Sequence, residues 1–162
     1  MAELTKLEDK LGEVLGLARA AKEATSTVAR LVDDEALVAT LARMGEEAAE
    51  TARRCEEIAG TREGKKTAIL EKARETSGEA KEMMSTYLGK DAEGLDGLEF
   101  LSMAESGEMS HVEILGTLAR TARDEPLIEL ADWALPIQER HLADVRQGGI
   151  RLASKEDPEE PA

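Results

Sequence analysis

At 162 residues the chain is long enough for one domain with a real core and too short for two. Its 21 basic against 35 acidic residues leave a formal net charge of −14, which repels polyanions and so argues against nucleic acid or an acidic membrane surface as a partner. Trp133, Tyr87 and Phe100 are the only aromatics, and a composition so poor in them and dominated by Ala and Leu belongs to packed helices rather than sheets.

The single cysteine, Cys55, excludes an intramolecular disulfide and fits a reducing compartment, where it packs as a small hydrophobe. The opening MAELTKLEDK has neither the basic nor the apolar region of a secretory signal, and no apolar run approaches the length of a membrane span. The expected location is the cytoplasm.

Periodicity and breakers predict five helices. The first spans about 3–32, with apolar or small residues at 4, 7, 11, 14, 18, 21, 25, 28 and 32. Asp34 is placed to cap a second helix over about 35–59, so short a connection making the first two antiparallel neighbours. A shorter, more polar third helix covers about 65–88, with its stripe at 69, 73, 76, 80, 83 and 87. The glycine-rich stretch 89–97 leads to a fourth helix over about 98–123, and Asp124 caps a fifth over about 125–147, with Pro126 in its first turn. Pro136 inside the fifth helix predicts a local bend. Beyond Gly148 and Gly149 the chain reads as a tail. The predicted organisation is a bundle over residues 1–150 and a disordered acidic tail over 151–162. Two long hairpins joined by a long crossover with its own helix describe an all-α, ferritin-like four-helix bundle.

Polar groups on apolar stripes mark the candidate site. The fourth helix's stripe 98, 101, 112, 115 and 119 passes through Glu105 and Glu108, and His111 lies one turn on, making an E-x-x-H pair able to converge on one ion. The fifth helix's stripe at 127, 131, 134, 138, 141 and 145 places Gln138 and His141 inward. With the hairpin turn near residue 123 or 124, position 108 falls opposite about 139, so the two polar sets meet at mid-bundle. Buried carboxylates need partners. In the first hairpin, Ala18 and Ala21 hold the inward positions at that level. On the second helix only Glu47, on the flank of the stripe 44, 48, 51 and 55, is placed to reach in. Glu13 and Glu23 lie off the first stripe and are expected to face solvent, and Trp133 is expected to be ordinary packing.

The order of helices, the segment Glu108-Met-Ser-His-Val-Glu-Ile-Leu-Gly-Thr-Leu118 and the polar groups at 138 and 141 resemble the ferritin-like superfamily. Within it they resemble the YciF-like bacterial stress-associated proteins, over about residues 5–150. The resemblance implies a metal site, with Glu47, Glu105, Glu108, His111, Gln138 and His141 as candidate ligands and iron, manganese or zinc as the ion. Di-iron relatives supply a carboxylate from each of two helices and an E-x-x-H or similar pair from the other two. This chain has Ala21 at the first, no histidine in the second helix, and Gln138 in place of an acid. The implied site is therefore partial or degenerate, iron-related or stress-related in role. No nucleophile–base motif, phosphate loop or dinucleotide fingerprint points to a different enzyme. The competing expectation is an acidic helical interaction protein, dimeric through its Ala-rich first and second helices, whose polar cluster holds no metal and fixes bundle register.

Overall fold

The computed structural model describes residues 1–161, which form five α-helices and no strand. Helix α1 (Lys6–Ala29) starts where Thr5 and Glu8 close a capping box: the Glu8 N–H donates to Thr5 Oγ1 at 3.2 Å, and the Thr5 N–H to Glu8 Oε2 at 2.8 Å. Helix α2 (Glu35–Gly60) is capped as expected, Asp34 accepting from the Leu37 N–H at 3.1 Å. Helix α3 (Lys66–Tyr87) follows. Helix α4 (Gly94–Ala122) begins four residues before its predicted start, and α5 (Glu125–Ala153) ends six residues after its predicted end.

Both differences have one cause. Glycines that read as breakers sit inside helices where a neighbour leaves no room for a side chain. A Cβ on Gly97 would lie 2.7 Å from Val28, and one on Gly148 would lie 2.9 Å from Leu37. Close approach, rather than chain reversal, is their role. The predicted bundle and tail boundary at 150 therefore moves: 151–153 are helical, and the exposed residues 154–161 lie beyond α5. Arg151 and Lys155 both pair with Asp34, so the start of this segment is tied to the α1–α2 connection. Ala162 lies outside the described residues. Pro136 does not interrupt α5. The Arg54 guanidinium stacks over the Trp133 ring at 3.9 Å, in keeping with a packing role.

Helix α1 packs on α2, α3 and α4; α4 packs on α5; and α2 closes the frame against α5. Lys10 meets His111 and Gly97 meets Val28, so α1 and α4 are antiparallel. Arg43 meets Asp144 and Leu37 meets Gly148, so α2 and α5 are antiparallel too. Helix α3 lies outside this frame, parallel to α1, with Lys72 near Asp9 and Lys81 near Glu23. Gly16 lets the two helices touch, since a Cβ there would fall 2.4 Å from the Ala73 carbonyl. Only the first half of the predicted α3 stripe is used. Ile69, Ala73 and Thr76 are buried, whereas Met83 and Tyr87 are exposed.

The core falls into two apolar clusters, one around Leu11, Leu15, Cys55, Ile69, Leu115 and Leu127, the other around Val28, Leu41, Met44, Leu98, Leu101 and Val145. Along α4 and α5 the polar residues sit between them. Cys55 is fully enclosed, and burial pushes its thiol up to about 12, so it stays an unreactive thiol. Ala18, Ala20, Ala21 and Ala24 of α1 are buried within the chain.

Arg123, between α4 and α5, takes the left-handed conformation (φ 56°, ψ 39°), which costs a side chain with a Cβ about 1 kcal/mol. Arg123→Gly is accordingly expected to raise the thermal midpoint by about 2–4 °C in a calorimetric melt.

Candidate functional site: a buried carboxylate and imidazole cluster

Three or four residues per turn bring Glu105 and Glu108 of α4 to one face, and Gln138 and His141 of α5 to the facing one. All four are buried. The expected register holds, for Gln138 Nε2 donates to Glu108 Oε2 at 2.9 Å. One helical turn along, His141 Nδ1 lies 3.4 Å from Glu105 Oε2. Across the frame His141 Nε2 lies 3.8 Å from Oε1 of Glu47, which does reach in from the flank of α2. The five residues thus form one belt across α2, α4 and α5.

His111 does not join it. Its Nδ1 lies 3.2 Å from Lys10 Nζ and 3.4 Å from Glu13 Oε2, in a half-buried group between α1 and α4. The E-x-x-H spacing sets Glu108 and His111 on adjacent parts of the helix surface, but α1 stands on one side and α5 on the other, and each side chain follows its own neighbour. Glu13, expected in solvent, is half-buried and paired with Lys10, while Glu23 is exposed and bonds Lys81 at 2.8 Å.

Two further residues shape the belt. Arg43 and Arg140 both pair with Glu47, Arg43 Nε lying 3.1 Å from Oε1. Arg43 was legible in the sequence, standing one turn before Glu47 on α2, whereas Arg140, beside His141 on α5, reaches Glu47 only through the packing of the two helices. Glu47 is thus a carboxylate already compensated by two guanidinium groups.

Burial dominates the protonation of the rest. It pushes the Glu105 carboxyl up to about 8, and holds Glu108 well above the usual carboxylate range, the neighbouring Glu105 adding to the effect and the Gln138 hydrogen bond opposing it. Burial also lowers His141 below the ordinary imidazole value, against the pull of Glu47 and Glu108. Burial thus favours the protonated carboxyl at Glu105 and Glu108 and the neutral imidazole at His141. Glu47 Oε1, Glu105 Oε2, Gln138 Oε1 and His141 Nε2 are buried without a hydrogen-bond partner. The two His141 separations exceed the 2.7–3.2 Å typical of a hydrogen bond, so the belt is loosely joined.

A two-metal centre does not fit these residues. The inward α1 positions are Ala18 and Ala21, His111 faces Lys10 and Glu13, and Glu105 and Glu47 address opposite nitrogens of His141. Among the described residues no three His, Cys, Asp or Glu side chains form a group able to hold a metal ion, and no helix is long and apolar enough to cross a membrane. No family model matches the chain, and neither a curated protein nor a solved structure matches it.

Proposed function

We propose that the chain is a ferritin-like bundle whose mid-bundle metal site has degenerated into a metal-free, proton-sharing cluster, making it a non-catalytic binding or interaction protein. The frame supports the family reading. Two antiparallel hairpins, with α2 and α4 parallel across the diagonal and α3 on the crossover, are the connectivity of that superfamily. The observation that carries the functional reading is the position of His141 between Glu105 and a Glu47 already paired with Arg43 and Arg140. With Glu105 protonated toward Nδ1, the Nε2–H faces the Glu47 carboxylate, so a small approach of these side chains closes both contacts without a metal. A cation at Glu47 would meet two guanidinium groups, each repelling a unit charge by about 4 kcal/mol at 4 Å in a partly screened interior. The stress-related role that the resemblance implies is then exercised through a bound partner, a second copy of the chain included.

A second reading is favoured by the unpartnered Glu47 Oε1 and His141 Nε2. A single iron, manganese or zinc ion between them would use Glu105 to orient the imidazole through Nδ1. Elemental analysis of untagged, anaerobically purified protein, incubated with ferrous iron or zinc and then desalted, separates the two. Below about 0.1 metal per chain is expected for the wild type and for His141→Ala alike. Near-stoichiometric metal in the wild type, lost in His141→Ala, overturns the metal-free reading.

A further inference from the structure

Between α1, the second half of α3, and α4 lies a cavity of about 280 Å³. Its wall is Ala20, Ala24, Met84, Leu101 and Ala104, with the exposed Met83 and Met103 at its edge. This is where the apolar stripe of α3 loses its partner. Glu108 lines the cavity and also a small void beyond it, which Gln138 closes. The cavity thus opens from the surface down to one end of the buried belt.

We propose that this cavity binds a small apolar organic cation, a primary alkylammonium, with its chain among the alanines and methionines and its ammonium group on Glu108. Charge complementarity selects that head group: among the described residues Glu108 has no cation beside it, and the ammonium supplies one, the acid releasing its proton to solvent as the pair forms. Glu108 is a buried acid whose one hydrogen bond from Gln138 uses a single carboxyl oxygen, and its titratable neighbour on α4 is another acid, Glu105. The two basic residues on the cavity wall are engaged elsewhere, Lys81 by Glu23 and His111 by Glu13. An anionic ligand would meet Glu108 and no free cation on the cavity wall, in a chain of net charge −14. Size selects the chain. A dry cavity of about 150 Å³ already accepts benzene, and drug-sized pockets start near 300 Å³, so a short aliphatic chain matches the space. Flexible methionines suit ligands of that kind.

Titration calorimetry of the full chain with n-octylammonium, n-octanol and n-octanoate is the test, on the wild type, Glu108→Gln and Gly107→Leu. A Cβ at Gly107 meets nothing within 4 Å, so the leucine projects from the cavity wall without disturbing the fold or the charge. Saturable 1:1 binding of octylammonium is expected, at least tenfold tighter than octanol or octanoate, weakened tenfold or more in Glu108→Gln and lost in Gly107→Leu. Octanol or octanoate binding as tightly as the amine, binding that survives Gly107→Leu, or no saturable binding overturns the proposal. The outcome is independent of the metal content of the belt.

Discussion

Glu105→Gln should raise the thermal midpoint at pH 8.5 by about 4–8 °C while leaving it nearly unchanged at pH 4.5. The folded chain lifts the Glu105 carboxyl to about 8 from an ordinary 4.5, because the side chain is enclosed between two apolar clusters with no cation beside it. A raised acid binds its proton more tightly in the folded state. Its contribution is therefore undiminished below pH 4.5, and stability falls as pH rises from there to 8. Above 8 the folded protein must bury a carboxylate. A shift of this size corresponds to at most about 5 kcal/mol, and relaxation around the charge leaves about 2 kcal/mol for the measurement. Glutamine keeps the shape, offers an N–H to His141 Nδ1 and has no proton to lose, so the alkaline decline flattens. His141 acts with the opposite sign: its lowered value makes the wild type gain stability as pH rises toward 6.5, and that limb persists in the variant. Urea melts at both pH values check this, and parallel pH profiles for wild type and variant would show that Glu105 is not the buried acid described.

Much of this belt was legible in the sequence, because helical periodicity is a statement about faces. Apart from the half-buried His111, every stripe position of the fourth and fifth helices, from Leu98 to Ala119 and from Leu127 to Val145, is buried, and the register that set 108 opposite about 139 appears as the Glu108–Gln138 hydrogen bond. His111 shows where periodicity stops. Its place on α4 follows from the sequence, but the choice between the Glu108 side and the Lys10 side is made by α1, whose distance and rotation no spacing rule supplies. The neutralisation of Glu47 is similar, since Arg140 acts from another helix. Glycine misled the boundaries for a related reason: Gly97 and Gly148 are small to admit Val28 and Leu37, contacts distant in the chain. The unused half of the α3 stripe is the counterpart, an apolar pattern that the packed frame does not cover.

Asp124→Ala is expected to cost about 3 kcal/mol, a drop of about 6–12 °C in the midpoint, because one carboxylate holds two parts of the frame. Its Oδ1 accepts from the Leu127 N–H at 3.3 Å and so caps α5. Both oxygens also receive the Arg62 guanidinium, Nη1 at 2.6 Å and Nη2 at 2.9 Å. Loss of the cap accounts for about 1 kcal/mol, and an unpaired, largely buried Arg62 for about 2 kcal/mol more. Arg62 holds Asp124 below the ordinary aspartate value. A depressed acid stabilises the fold above pH 3.8, and that share is lost as pH falls below 3.8 through the lower folded value, so the variant should approach the wild type as the solution is acidified through that range. Asp124→Asn keeps a capping oxygen and removes the charge, and should fall between the two. Arg62 follows α2 and Asp124 opens α5, so this pair fixes the level of one hairpin against the other. With the level loosened, Glu47 and His141 no longer meet at a set height. The energetic coupling between Glu47→Gln and His141→Gln, measured as a double-mutant cycle, should shrink in the Asp124→Ala background; an unchanged coupling would show that α2 and α5 keep their level without it.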